Sequence, residues 1–218
     1  MRFRKGGRRL EHFTKVQVRS PRVAWRRHIG EILEQWVALQ HRFFIRIGES
    51  AYCYSERANI SLLSAATWHC HHIAMEEFAI RRGNGWRGPG RADLFMQIGR
   101  WSLCVEAKLA WLALPHTAHD WRTFWRVVRG HTRAAQHEAV RISRAAFQYR
   151  LGIVFCVLSA RLREAARVQD AFIRDLNEQT EQQSFDFLAA YLPMSAAPSR
   201  KTTRCFPGVI LVGSATRF

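Results

Sequence analysis

Lysine is nearly missing from this chain, and acid is scarce. Only Lys5, Lys15, Lys108 and Lys201 break a basic complement that is otherwise arginine, and 34 lysines and arginines face 17 acidic residues, for a formal charge of +17. So few acids exclude a charge-balanced surface and point to a polyanionic partner, most simply nucleic acid. Genome composition accounts for arginine in place of lysine. It accounts less well for bases outnumbering acids two to one.

Long apolar runs are missing too. The best, "LGIVFCVLSA", is about half of the roughly 20 residues a membrane-spanning helix needs, so no membrane partner is expected. The charged N-terminus has no apolar segment behind it, so a secretory signal is not read and the expected compartment is the cytoplasm. Five cysteines, odd in number and without a CxxC pair, are expected as reduced structural thiols. There is no P-loop, no nucleophile elbow and no HExxH. "GNGWRG" has the spacing of a dinucleotide fingerprint but runs into Pro89-Gly90 and a strand instead of opening a helix. In "HCHH", residues 69–72, adjacent ligands are poorly spaced for a tetrahedral zinc site, and a strand start is expected there.

What is present is a globular composition, 48% hydrophobic, in a chain long enough for one domain with a real core. Residues 1–20 are basic and weakly patterned, and read as a mobile arm, either a solvated tail or a phosphate-binding one. Ser20-Pro21 has the form of a helix start. Trp25, Ile29, Ile32, Leu33, Trp36, Leu39 and Phe43 then recur at helical spacing, as a core stripe or a docking face. Ser55 is expected to cap a helix carrying Glu56 in its first turn, where a negative charge suits the helix dipole.

Three strands follow: "HHIAMEEFAIRRG", "RADLFMQIG" and "WSLCVEAKLAWL", joined by the "GNGWRGPG" turn and by Gly99-Arg100 as an antiparallel meander. Thr117 and Asp120 form a capping box opening a long helix over 118–146, with Gly130 as a candidate break. On it Arg122, Arg126, Arg129 and Arg133 share one face, a solvated surface or a phosphate-facing ridge. "YRLGIVFCVLSA", apolar on both faces, reads as a central strand. An amphipathic helix with Val168, Phe172 and Leu176 inward and two more strands complete an order α-β-β-β-α-β-α-β-β. This order implies an α+β fold, a mixed sheet flanked by helices.

Chemistry concentrates in "GRADLFMQIGRWSLCVEAKLA", residues 90–110. Strand alternation puts Glu106 and Lys108 on one face, roughly 7 Å apart, with Leu103, Val105, Ala107 and Leu109 on the other. If the two strands pair through Gly99-Arg100, Asp93 comes beside Glu106. Two converging carboxylates repel unless a cation lies between them. All-oxygen ligation suits Mg²⁺ or Mn²⁺, which bind phosphate oxygens and lower the pKa of a bound water. A nearby lysine can orient the attacking water or stabilise charge on the phosphate. That is the chemistry of phosphodiester hydrolysis. Glu76 and Glu77 are reserve candidates, read first as a polar strand edge.

D-x(12)-E-A-K on consecutive strands, with the order α-β-β-β-α-β over roughly residues 52–160, resembles the PD-(D/E)xK nuclease superfamily with its restriction-endonuclease-like fold. The resemblance implies a nuclease domain over 51–218, preceded by the basic arm and amphipathic helix of 1–50. It also implies Mg²⁺ or Mn²⁺ held by Asp93, Glu106 and Glu56, with Lys108 as the catalytic lysine. Ala92 stands where the motif has proline, and Gln136 is followed by Val140, so the exonuclease branch with Q-x-x-x-Y is not assigned. DNA is the leading substrate, Arg122, Arg126 and Arg129 are the candidate phosphate contacts, and a homodimer is possible. The alternatives are a catalytically inactive nucleic-acid-binding module on the same fold, or an interaction protein docking through helix 21–44.

Overall fold

The computed structural model describes residues 3–5, 8–10, 12–19, 25–81, 89–140, 147–193 and 203–217. Its elements are β1 (Phe3–Lys5), β2 (Arg8–Leu10), β3 (His12–Val18), α1 (Arg26–Ile47), α2 (Glu56–His69), β4 (Ile73–Arg81), β5 (Pro89–Ile98), β6 (Trp101–Ala113), α3 (Ala118–Val140), β7 (Tyr149–Arg161), α4 (Ala165–Glu181), β8 (Phe187–Pro193) and β9 (Arg204–Arg217). Strands β3 to β9 form one mixed sheet in the order β3-β8-β9-β7-β6-β5-β4. Every neighbouring pair is antiparallel except β6 and β7, which run parallel across the α3 crossover. Hairpin β1–β2 pairs apart from it.

Three layers result, because alternate residues of the central strands face two separate cores. On one side α1 and α2 bury Trp36, Leu33, Ile60 and Leu63 against Leu103, Val105, Leu151, Ile153 and Phe155. On the other, α3 and α4 bury Trp121, Trp125, Phe172 and Leu176 against Val154, Cys156, Ile210 and Val212. β7, between β6 and β9, is buried on both faces, as its unbroken apolar run requires. The aromatic stripe of α1 is core: Trp25 and Trp36 are fully buried, and each large apolar side chain placed so contributes about 2 kcal/mol. That removes the stripe as a docking face.

Local signals set several boundaries. The Ser55 hydroxyl accepts from the Ala58 N–H at 3.1 Å and starts α2. At α3 the Asp120 N–H donates to the Thr117 hydroxyl at 3.2 Å, while the Asp120 carboxylate accepts from the Thr117 N–H at 3.1 Å, the reciprocal bonds of a capping box. Gly48, at φ 82°, ends α1 in the left-handed conformation.

Three expectations need correction. Residues 12–18 are not a mobile arm: they are the edge strand β3, paired with β8 over its whole length. Its side chains are half-buried without alternation, and Lys15 donates to Asn177 and Thr180 of α4 at 2.8 Å, so its apolar pattern carries no strand signal. Hence residues 1–50 supply a strand and a core helix to the same sheet as the rest. Next, α3 runs unbroken through Gly130. Finally, Pro89 and Gly90 begin β5 instead of belonging to the preceding turn. The Ser20-Pro21 start, the turn at 82–88 and the helix end at 141–146 fall outside the described residues.

Candidate active site at the divergence of β5 from β6

β5 pairs with β6 from Ile98 and Trp101 to Leu94 and Val105, and no further. β5 stays paired with β4 beyond that point, from Phe78 and Ala92 to Arg81 and Pro89, so the β4–β5 hairpin leaves β6 at Asp93. Glu106 is the residue in register with Asp93. Past the split, N–H groups on the open edge of β6 need other acceptors. The Asp93 carboxylate accepts from the Ala107 N–H at 2.7 Å, and the Glu56 carboxylate, from the start of α2, accepts from the Leu109 N–H. Two carboxylates thus replace the missing strand, which gathers them beside Glu106 and Lys108.

Glu106 is only 4% exposed, its carboxyl is hydrogen-bonded to that of Asp93, and its Oε1 has no partner in the described structure. Burial pushes its pKa up to about 8. The charge and hydrogen bond of Asp93 and the charge of Glu138 add to this, and Lys108 opposes it. Burial also raises Glu56, reinforced by Asp93 and Glu138 against Lys108 and the Leu109 N–H. Helix-dipole stabilisation of Glu56, expected from its first-turn position, is therefore outweighed.

Lys108 does not lie between Asp93 and Glu106. Its ammonium turns to α3 and donates to Glu138 Oε2 at 2.5 Å. Burial alone lowers the Lys108 pKa. The hydrogen bond and charge of Glu138, with the charges of Glu56 and Asp93, more than offset that and leave it raised. Four of the chain's 17 acids therefore converge on one lysine.

Glu106 keeps its proton to higher pH in the folded chain than in the unfolded one. The native state binds the extra proton between the ordinary carboxyl range and about pH 8, so stability falls as pH rises through that window. Without divalent cations, the melting temperature is expected to drop between about pH 5 and about pH 9. Glu106→Gln, which cannot ionise, should flatten that drop; equal slopes in the two proteins would remove this assignment.

The sequence brought Glu56, Asp93, Glu106 and Lys108 forward, and the fold assembles all four. It does not assemble the arginines with them. Arg122, Arg126, Arg129 and Arg133 are exposed, but helical geometry sets them between about a third and a half of a turn round α3 from Glu138, with Arg122 ~24 Å away along the axis. Arg129 donates to Gln183 at 2.7 Å.

One residue escaped the sequence reading, and one reserve candidate proved to have a definite place. Glu138 could have been suspected as the one acid on α3 besides Asp120. Glu77, in register with Asp93, holds a left-handed φ of 48° and binds Arg57 of α2 and Arg91 of β5, the latter at 3.1 Å. It clamps the start of α2, and with it Glu56, to the diverging hairpin. Strain of this kind in a non-glycine residue persists where its surroundings enforce it. Glu76 instead accepts from the Ser61 hydroxyl at 2.9 Å.

Among the described residues no three His, Cys, Asp or Glu side chains form a ready-made metal cage. The donor chemistry still fits Mg²⁺ or Mn²⁺. Mg²⁺ is commonly held by one or two carboxylates together with waters and substrate phosphates. Here Asp93 and Glu106 are in contact, and Glu106 has a buried oxygen without a partner. No family model, no curated protein and no solved structure matches the chain. Among the described residues no helix is long and apolar enough to cross a membrane.

Proposed function

We propose that the chain is a metal-dependent nuclease that hydrolyses phosphodiester bonds in DNA. On this reading α2, β4, β5, β6, α3 and β7 are the α-β-β-β-α-β core of a PD-(D/E)xK enzyme. The observation that carries it is the meeting of Asp93 with Glu106, within reach of Glu56 and Lys108, where β5 leaves β6. A carboxyl that burial, reinforced by the neighbouring carboxylates, holds protonated to about pH 8 marks a site organised for a cation, not for packing.

A Mg²⁺ or Mn²⁺ held by Asp93 and Glu106, with the Glu56 carboxylate nearby, would supply charge to neutralise the phosphate and acidify a water. The chain's own groups do the rest. Asp93 and Glu56 are fixed by backbone N–H groups of β6 and so are preorganised. Lys108 carries a fixed positive charge at neutral pH, placed to stabilise negative charge building on the phosphoryl oxygens or to orient the attacking water. The high net charge supports a polyanionic substrate.

The test is cleavage of supercoiled, linear and single-stranded DNA with Mg²⁺ or Mn²⁺ against EDTA. Metal-dependent cutting is expected, and a folded protein that binds DNA but never cuts it would instead be the inactive module. The arginine ridge makes a separable prediction. Replacing Arg122, Arg126 and Arg133 by alanine should weaken binding and flatten its salt dependence by about one unit of slope per lost phosphate contact, with little change in the cleavage rate of bound DNA. An unchanged salt slope would remove the ridge from the interface.

A further inference from the structure

Lys108 has three carboxylates near it on the strand and α2 side, yet among the described residues its one ion-pair partner is Glu138. That choice is built by the fold. α3 lies against β7 at Gly152, where even a Cβ would meet the Gln136 backbone nitrogen at 2.6 Å and the Thr132 carbonyl oxygen at 2.9 Å. Gly152 is also the residue paired with Glu106 across the β6–β7 ladder. The close approach of α3 therefore occurs beside the carboxylates, and Glu138 follows two residues after Gln136 on the same helix. Ala135 and Ala139, buried on either side of Glu138, hold this last turn down.

The pair sits at the rim. The Lys108 side chain is 29% exposed and that of Glu138 42%. An ion pair so placed adds little to stability, and a free lysine would sweep many rotamers. Holding it in one direction serves a reaction more than a fold.

We propose that Glu138 is a positioning residue of this site, holding the Lys108 ammonium at the rim of the Asp93–Glu106 pair, where the scissile phosphate of a bound strand lies. This rests on the nuclease reading above. Glu138 contacts neither substrate nor the carboxylate pair in this role; it acts through Lys108.

The experiment is a double-mutant cycle in Mg²⁺-dependent cleavage, with kcat and KM measured for wild type, Glu138→Ala, Glu138→Gln, Lys108→Ala and the Lys108→Ala/Glu138→Ala double variant, and thermal unfolding followed for each. Glu138→Ala is expected to lower kcat between about ten- and a hundredfold with KM nearly unchanged. Glu138→Gln, which keeps a carbonyl acceptor for the ammonium, should recover much of the loss. In the Lys108→Ala background, removal of Glu138 should change nothing further. A wild-type kcat in Glu138→Ala, or a loss that persists without Lys108, overturns the positioning role while leaving the nuclease reading intact. A wild type that shows no metal-dependent cutting overturns both.

Discussion

Asp93→Asn is expected to reduce metal-dependent cleavage by at least about a hundredfold while leaving the protein as stable as wild type, or more so. The two effects have one cause. An asparagine keeps an oxygen for the Ala107 N–H, so the open edge of β6 stays satisfied. It removes the charge that helps push the Glu106 carboxyl up to about 8, so the repulsion stored in the site is relieved. Alanine would be a poorer probe, because it leaves the Ala107 N–H without its acceptor and costs about 1–3 kcal/mol on that account alone. Lys108→Ala serves as a companion, with a kcat loss of similar size expected. The measurements are steady-state cleavage at fixed Mg²⁺ and melting temperature. Full cleavage by Asp93→Asn would sink the nuclease reading. A large drop in its melting temperature would show instead that the Asp93–Glu106 contact stabilises the fold.

Gly152→Ala should be a damaging one-methyl change, and Gly130→Ala a harmless one. Gly152 faces α3 from the sheet, whereas Gly130 is an exposed residue of α3 itself. At Gly152 the added carbon meets helix backbone at 2.6 and 2.9 Å, atoms that cannot rotate away, so α3 itself must lift from the sheet. Overpacking of this kind costs about 1–3 kcal/mol, which for a chain of this size lowers the melting temperature by roughly 2–4 °C per kcal/mol. Lifting α3 also carries Glu138 away from Lys108, so cleavage should fall more than stability does. Gly130 lies within α3 with nothing near its missing side chain, and alanine there should stabilise the helix by up to about 1 kcal/mol. Equal melting temperatures for the two variants would contradict the close docking of α3.

Much of the site was legible because it obeys local periods. Alternation along β6 placed Glu106 and Lys108 on one face, and the Gly99-Arg100 turn, with Gly99 at φ 55°, set the register that brings Asp93 opposite Glu106. Ser55 marked the start of α2 and so the place of Glu56. Other features depended on partners far along the chain. β3 has a polar, half-buried pattern and becomes a strand only because β8 offers an edge to it. Glu138 is thirty residues from Lys108, and no spacing rule connects them.

The sequence by itself determined the elements: apolar period two for the strands, period 3.6 for the helices, caps and glycines for their ends, and a basic surface with Asp93, Glu106 and Lys108 set in residues 90–110. Only the tertiary structure decided how β5 parts from β6 and which acid Lys108 answers to. The reason is physical. Local patterns fix which way a side chain leaves its own backbone, whereas close packing, here α3 against Gly152, fixes what it meets.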